Sequence, residues 1–313
     1  MNENYYKLKI RQALPLEQKI HLTKKRITDW YNHFAGDVYV SFSGGKDSTV
    51  LLHIARELYP NIEAVFCDTG LEFPEIKDFV KTIDNVTYLK PKMGFKDVLE
   101  KFGFPLISKE QSQYIYQYRH AKDDRTRDLR IKGDKNGNFR ISNKWIKLIH
   151  APFMVSDKCC DVMKKDPFKR YEKKSNKKPI IGIMASESFL REQQYTEHGC
   201  NAFNLKRPTS KPLSFWNDED VWQYLKINNV PYSKIYDMGY KRTGCMFCLF
   251  GIHLENEPNR FQKMQKTHPK IHEFCLNKLG LKEVLDYIGV PYKEQQMSLF
   301  KDTPTDNYQN KKD

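Results

Sequence analysis

No apolar run in this chain approaches the ~20 residues a membrane-spanning helix needs, and its opening, Met1-Asn-Glu-Asn-Tyr-Tyr6, lacks the apolar stretch of a secretory leader. Both absences lead us to expect a cytosolic (cytoplasmic) protein with no membrane partner. Cysteine is sparse and odd in number, seven in 313 residues. That excludes the paired framework of a secreted disulfide protein and leaves metal binding or redox chemistry to whichever cysteines cluster. No internal repeat is present. Acidic residues are outnumbered, 39 against 53 lysines and arginines, for a net charge of +14. A positive field of that size favours polyanionic partners such as nucleotides or nucleic acid and says nothing about fold. With 39% hydrophobic residues the chain has enough to bury a core, and its length suits one main domain plus a smaller C-terminal part.

Residues 16–34 place Leu16, Ile20, Ile27, Trp30 and Tyr31 at helical spacing, closing an N-terminal helical segment, residues 1–36. Asp37-Val-Tyr-Val-Ser-Phe42 then reads as a buried strand, followed by a glycine loop and a helix from Ser48 to Leu58. A second strand, Ile62 to Cys67, a helix near Pro74–Thr82, and a third strand, Val86–Leu89, repeat the alternation, which Pro179–Ala185 resumes. Alternating strands and helices predict an α/β fold with a mainly parallel sheet covered by helices. Residues 110–150 interrupt it as a basic insertion: within 117–150 ten lysines and arginines face four aspartates. A hairpin is expected around Asp134-Lys-Asn-Gly137, since Asn-Gly favours tight turns. The insertion reads equally as a solvated charged face or as a nucleic-acid contact. Residues 256–293 read as a helical C-terminal part, and 294–313 as a polar, disordered tail.

Ser43-Gly-Gly-Lys-Asp-Ser48, between a strand and a helix N-terminus, has the form of a phosphate cradle: glycines permit close backbone approach, and the helix dipole favours an anion. It has neither Walker spacing nor the GxGxxG fingerprint. It resembles the PP-loop of ATP pyrophosphatases, which cleave ATP between the α and β phosphates and adenylylate a substrate oxygen. The resemblance implies that Ser43, Gly44, Gly45, Lys46, Asp47 and Ser48 hold ATP, with Lys46, Asp47 and a bound Mg2+ serving catalysis by positioning and charge neutralisation. Phe66-Cys-Asp-Thr-Gly-Leu-Glu-Phe-Pro-Glu75 resembles a segment of the phosphoadenosine-phosphosulfate (PAPS) reductase family, implying that Asp68 and Thr69 lie near the nucleotide. A plain helix cap by either residue is the alternative. Gly182-Ile-Met-Ala-Ser-Glu-Ser-Phe-Leu-Arg191 is similar to a further family stretch and implies Arg191 as an anion contact. The family fold is a Rossmann-like, doubly wound sheet of the adenine nucleotide alpha-hydrolase type.

Two tight cysteine pairs, Cys159-Cys160 and Cys245-Met-Phe-Cys248, are readable as zinc ligands, cluster ligands or unligated thiols. Together with Trp216, Trp222, Tyr224 and Tyr240-Lys-Arg-Thr-Gly244, they resemble the iron–sulfur members of the family, which implies a [4Fe–4S] cluster on Cys159, Cys160, Cys245 and Cys248. Of the other cysteines, Cys67 and Cys275 read as core filling, and Cys200 as a reactive thiol or mere loop content.

Sulfonucleotide reductases of this family end in a Glu-Cys-Gly-Leu-His segment, absent here, and usually carry a degraded glycine loop, intact here. The combination is most similar to the iron–sulfur ATP-pyrophosphatase subunit of DNA phosphorothioation systems. It implies adenylylation of a substrate, with DNA backbone as a candidate, and sulfur supplied by a cysteine desulfurase or another donor. The alternatives are a thiol-dependent sulfonucleotide reductase and a non-catalytic nucleotide-binding module. Separately, Gln296-Met-Ser-Leu-Phe300 resembles the peptide by which bacterial proteins bind the replication sliding clamp, the alternative being a tail packed back on Val290 and Tyr292.

Overall fold

The structure is a computed structural model that describes residues 3–294, so the Gln296–Phe300 peptide lies outside the described residues. The chain divides into two compact units, Met1–Gly251 and Ile252–Asp313.

The first unit opens with α1 (Glu3–Gln12) and α2 (Leu16–His33). Thr23, Ile27 and Trp30, at three- and four-residue spacing, form the buried stripe of α2. The α/β alternation follows as β1 (Val38–Ser41), α3 (Lys46–Leu58), β2 (Ala64–Cys67), α4 (Pro74–Lys81) and β3 (Val86–Leu89). After α5 (Phe95–Phe102) and β4 (Leu106–Ile107) come α6 (Lys109–His120), α7 (Asp124–Lys132), α8 (Asp166–Ser175) and β5 (Lys178–Ile181). The unit ends with α9 (Phe189–His198), β6 (Asn201–Ala202), β7 (Thr209–Ser210), α10 (Asp218–Ile227) and β8 (Leu249–Phe250).

Among the described residues the main sheet has six strands in the order β3-β2-β1-β5-β7-β6, parallel throughout except where β6 runs against β7. Val40 of β1 pairs with Ala64 on one side and Ile180 on the other. β1 and β2 are apolar runs rather than alternating ones because both of their faces are covered, as expected for central strands of a parallel sheet. From β1 the chain winds through β2 to β3 in one direction, then returns to β5 on the other side of β1. This reversal makes the C-terminal end of β1 a topological switch point, where open α/β sheets bind ligands. The expected doubly wound α/β fold is therefore observed.

Two local expectations need correction, and one strand pair went unforeseen. Asp134–Gly137 does form a tight turn, with the Gly137 N–H on the Asp134 carbonyl at 2.9 Å, but no strands flank it. The insertion is helical, α6 and α7 followed by a 3₁₀ segment at Asn143–His150. Asn-Gly chemistry specifies the turn and is indifferent to what enters it. The strand expected over Pro179–Ala185 stops at Ile181, where the chain bends into a 3₁₀ turn at Ala185–Glu187. β4 and β8, a parallel pair of two residues each, went unanticipated because so short a strand leaves no periodicity to read.

The second unit holds α11 (Arg260–Thr267), α12 (Pro269–Asn277) and α13 (Leu281–Ile288), which bury Phe261, Met264, Cys275, Leu281, Val284 and Leu285 completely. Cys275 is thus core filling.

Candidate functional site

The glycine loop leaves β1 at the switch point and enters α3, whose N-cap, Gly45, contributes no side chain. Ser48 closes the loop from beneath: its Oγ accepts the Ser43 N–H at 3.1 Å and donates to the Gly45 carbonyl at 2.9 Å. Gly44 has a φ of +70°, and a Cβ there would stand 2.8 Å from the Cγ2 atoms of Ile76 and Val80 on α4. Backbone conformation and space both demand glycine. Gly44→Ala is accordingly expected to destabilise the protein by about 1–3 kcal/mol. Thermal unfolding monitored by circular dichroism checks this; an unchanged midpoint would mean that α4 gives way freely.

From this loop Lys46 enters a cleft of about 670 Å3 whose walls include Ser43, Gly45, Asp47, Lys164, Arg191, Asp218, Arg242 and Thr243. The Lys46 side chain is nearly buried; its Nζ donates to Asp47 Oδ1 at 2.8 Å, contacts Asp218 at the start of α10, and lies 5.9 Å from the Trp222 ring centroid. Burial works against its charge, yet Asp47 and Asp218 hold its pKa above the ordinary lysine value. The Lys46 N–H donates to Tyr236 Oη at 2.8 Å, tying the loop to the 3₁₀ turn at Lys234–Tyr236. Asp218 is presented by a capping box in which Asn217 and Asp220 exchange hydrogen bonds, and Asp220 is anchored to Lys19 of α2 by a buried ion pair at 2.7 Å. On the far wall Arg191 pairs with Glu187; burial, then repulsion from Arg242, lowers its pKa. Two guanidiniums that repel each other across a cleft are stabilised by an anion between them.

The two cysteine pairs, distant in sequence, come together. Burial foremost, then the neighbouring Cys160, Cys245 and Cys248, pushes the Cys159 thiol well above its usual value. Cys245 is pushed up to about 11 by burial, opposed by Lys164. Lys164 lies in a π-helical turn, Asp161–Lys165, that directly follows Cys160 and runs into α8. Such turns redirect a side chain that a regular helix would aim elsewhere. Although burial works against its charge, Lys164 has a raised pKa because Cys245, Glu72 and Cys160 surround it. It also lines the cleft, so one ammonium connects the cysteines with the glycine loop. The donor set, four thiols near enough to perturb one another with a compensating cation beside them, has the chemistry of a thiolate-ligated group. Among the described residues no three His, Cys, Asp or Glu side chains are drawn to metal-ligand spacing.

Of the residues singled out in the sequence, Ser43, Gly45, Lys46, Asp47 and Arg191 face the cleft, while Gly44 and Ser48 shape the loop. Asp68 and Thr69 are not part of the cleft wall. Thr69 donates its N–H and hydroxyl to the Glu72 carboxylate at 3.0 and 2.7 Å, and Asp68 accepts the Gly70 N–H and pairs with Lys77 at 3.0 Å. Both residues organise the turn before α4, and neither caps that helix, whose N-cap is Phe73. Cys200 is buried, and its thiol is pushed up to about 11 by that burial, the reverse of an activated nucleophile. Cys67 is also buried, with its Sγ on the Met163 carbonyl at 3.4 Å. Sequence reasoning missed Lys164, Glu187, Asp218, Tyr236 and Arg242. Glu187 and Arg242 lie within quoted motif segments without being singled out, and the Asn217-x-x-Asp220 capping box marks a helix start and hence a place where Asp218 would be displayed.

A parallel sheet with a glycine loop at its switch point and a cation-lined cleft beyond it defines a mononucleotide-binding α/β protein. Residues 37–122 and 109–249 match the phosphoadenosine phosphosulfate reductase domain, and the chain belongs to that family. An uncharacterized protein of Methanocaldococcus jannaschii is 30% identical over 240 residues, 75% of this chain and 45% of its own, so this chain spans less than half of that relative. Adenosine 5'-phosphosulfate reductase 2 of Bacillus subtilis is 24% identical over 250 residues, 78% of this chain and 86% of its own. The phosphoadenylyl-sulfate reductase of Candida auris, solved as a phosphate complex, overlays with a TM-score of 0.42 at 18% identity, covering 74% of this chain and 96% of that one. Among the described residues no helix is long and apolar enough to cross a membrane.

Proposed function

We propose that this chain is an ATP pyrophosphatase that adenylylates an oxygen of a nucleic-acid backbone for replacement by sulfur, as in DNA phosphorothioation. The observation that carries the reading is the intact Ser43–Ser48 loop opening into a cleft with Lys46, Arg191 and Arg242 on its walls. A substrate phosphate oxygen attacks the α-phosphorus of ATP, the α–β bridging bond breaks, and pyrophosphate leaves with its electrons. Lys46 and the Gly45-capped start of α3 neutralise the leaving pyrophosphate, while Asp47 and Asp218 supply carboxylates for Mg2+. Arg191 and Arg242 orient the acceptor phosphate. A reduced sulfur species from a cysteine desulfurase or other donor then attacks the adenylylated phosphorus and expels AMP. When bound by Cys159, Cys160, Cys245 and Cys248, a [4Fe–4S] cluster supplies iron–sulfide chemistry beside this cleft. Lys164 holds positive charge between the two regions. Docking to a sliding clamp through Gln296–Phe300 is proposed from the sequence alone.

The test is pyrophosphate release from ATP by anaerobically purified protein, with and without nucleic acid. Release stimulated by nucleic acid is expected, and none under either condition sinks the reading. The names of the reductase relatives favour a second reading, sulfonucleotide reduction. Thiol-dependent sulfite release from a sulfonucleotide would establish that reading instead, with an external thiol in place of the buried Cys200.

A further inference from the structure

The basic insertion carries a second cleft, remote in sequence from the glycine loop. Its volume is about 620 Å3, and its walls include Glu110, Tyr114, Asn138, Phe139, Arg140 and Asn143. Phe139 is 53% exposed and has a φ of +63°, a backbone conformation that costs a bulky residue energy. Two neighbours hold it there. Arg130 donates to the Phe139 carbonyl at 2.5 Å while its guanidinium lies 4.4 Å from the Tyr114 ring centroid, and Gln111 grips the Arg140 carbonyl and the Ser142 N–H. The loop is therefore fastened through its backbone and the buried Ile141, and presents Asn138, Phe139 and Arg140 to solvent. An aromatic ring held outward at a conformational cost is more useful as a contact than as core.

The adjoining helix leads to the same conclusion. α7 buries none of its residues, so its sequence answers to the surface rather than to packing. The aspartates of 117–150 are all engaged locally: Asp123 caps α7, Asp124 pairs with Arg127, Asp128 with Lys132, and Asp134 accepts backbone N–H groups of its own turn. Among the described residues, exposed Lys122, Arg125 and Lys135 have no acidic partner. Unpaired cations and an exposed ring on one insertion are what a polynucleotide backbone with an unstacked base would meet.

We propose that the α6–α7 insertion docks a single-stranded polynucleotide, with phosphates along Lys122, Arg125 and Lys135 and one base on Phe139. A duplex keeps its bases stacked and cannot offer one to the ring. The proposal rests on the reading that the acceptor is nucleic acid, and it can be tested without ATP.

Fluorescence polarisation with a labelled mixed-sequence oligonucleotide, as single-stranded DNA, single-stranded RNA or duplex, with heparin as a base-free polyanion, is the measurement. Single strands of either sugar are expected to bind more tightly than duplex. Phe139→Ala should weaken single-strand binding about tenfold with an unchanged salt slope, and Phe139→Trp should retain it. Lys122→Ala/Arg125→Ala/Lys135→Ala should lower the salt slope by about two. Wild-type affinity in Phe139→Ala, or a wild-type preference for duplex or heparin, overturns the proposal. Pyrophosphate release is scored separately: docking without release leaves this surface standing and removes the pyrophosphatase reading, and release without docking does the reverse.

Discussion

Lys46→Ala is expected to cut pyrophosphate release from ATP by about 100- to 1,000-fold, because it removes a preorganised cation at the point where the leaving group gains charge. The fold should survive. Asp218 is 65% exposed along its side chain and Asp47 27%, so both carboxylates rehydrate when their partner is lost. Asp47→Ala should have an effect of similar size, by removing a Mg2+ carboxylate and the acceptor that orients Lys46 at 2.8 Å. The double variant should be little worse than either single one, since groups that act through one contact do not add. Steady-state pyrophosphate assays paired with melting curves check this. Near-normal release from either single variant would take the glycine loop out of the reaction.

The second large effect concerns the cysteines. Anaerobically isolated protein is expected to be brown, to carry about four irons per chain, and to lose both colour and iron in Cys245→Ser, since a thiolate-held cluster does not tolerate loss of a ligand beside the cleft. Cys67→Ser is the control. Burial foremost, then Glu72, with Asp68 and Cys245 adding to them, raises the pKa of Cys67, yet it hydrogen-bonds the Met163 carbonyl and belongs to β2 rather than to either pair. Its replacement should leave iron content unchanged. Colourless wild-type protein loaded with zinc would refute the cluster, and iron loss in Cys67→Ser equal to that in Cys245→Ser would show that the pairs are not the ligand set.

Much of the first unit was legible because its determinants are local. Val38–Ser41, the glycine loop and Lys46–Leu58 form one strand–turn–helix whose apolar run, glycines and helical periodicity agree. The basic insertion was legible as charge but misread as a hairpin, since a turn signal does not reveal what flanks it. Asp68 and Thr69 were legible as a motif, whereas their hydrogen bonds to Glu72 and the Gly70 N–H, which shape the turn after β2, needed the structure.

By itself the sequence determined the alternation of strands and helices, the phosphate-cradle loop and the two cysteine pairs, because each depends on residues a few positions apart. Only the tertiary structure decided which charges share the cleft. Lys164 comes from the π-helical turn after Cys160, Asp218 from the first position of α10, Arg191 from the first turn of α9 and Arg242 from a loop, converging with Lys46 at the switch point. The physical reason is that a charge acts through distance and burial, and neither is set until the sheet order has brought β1 between β2 and β5.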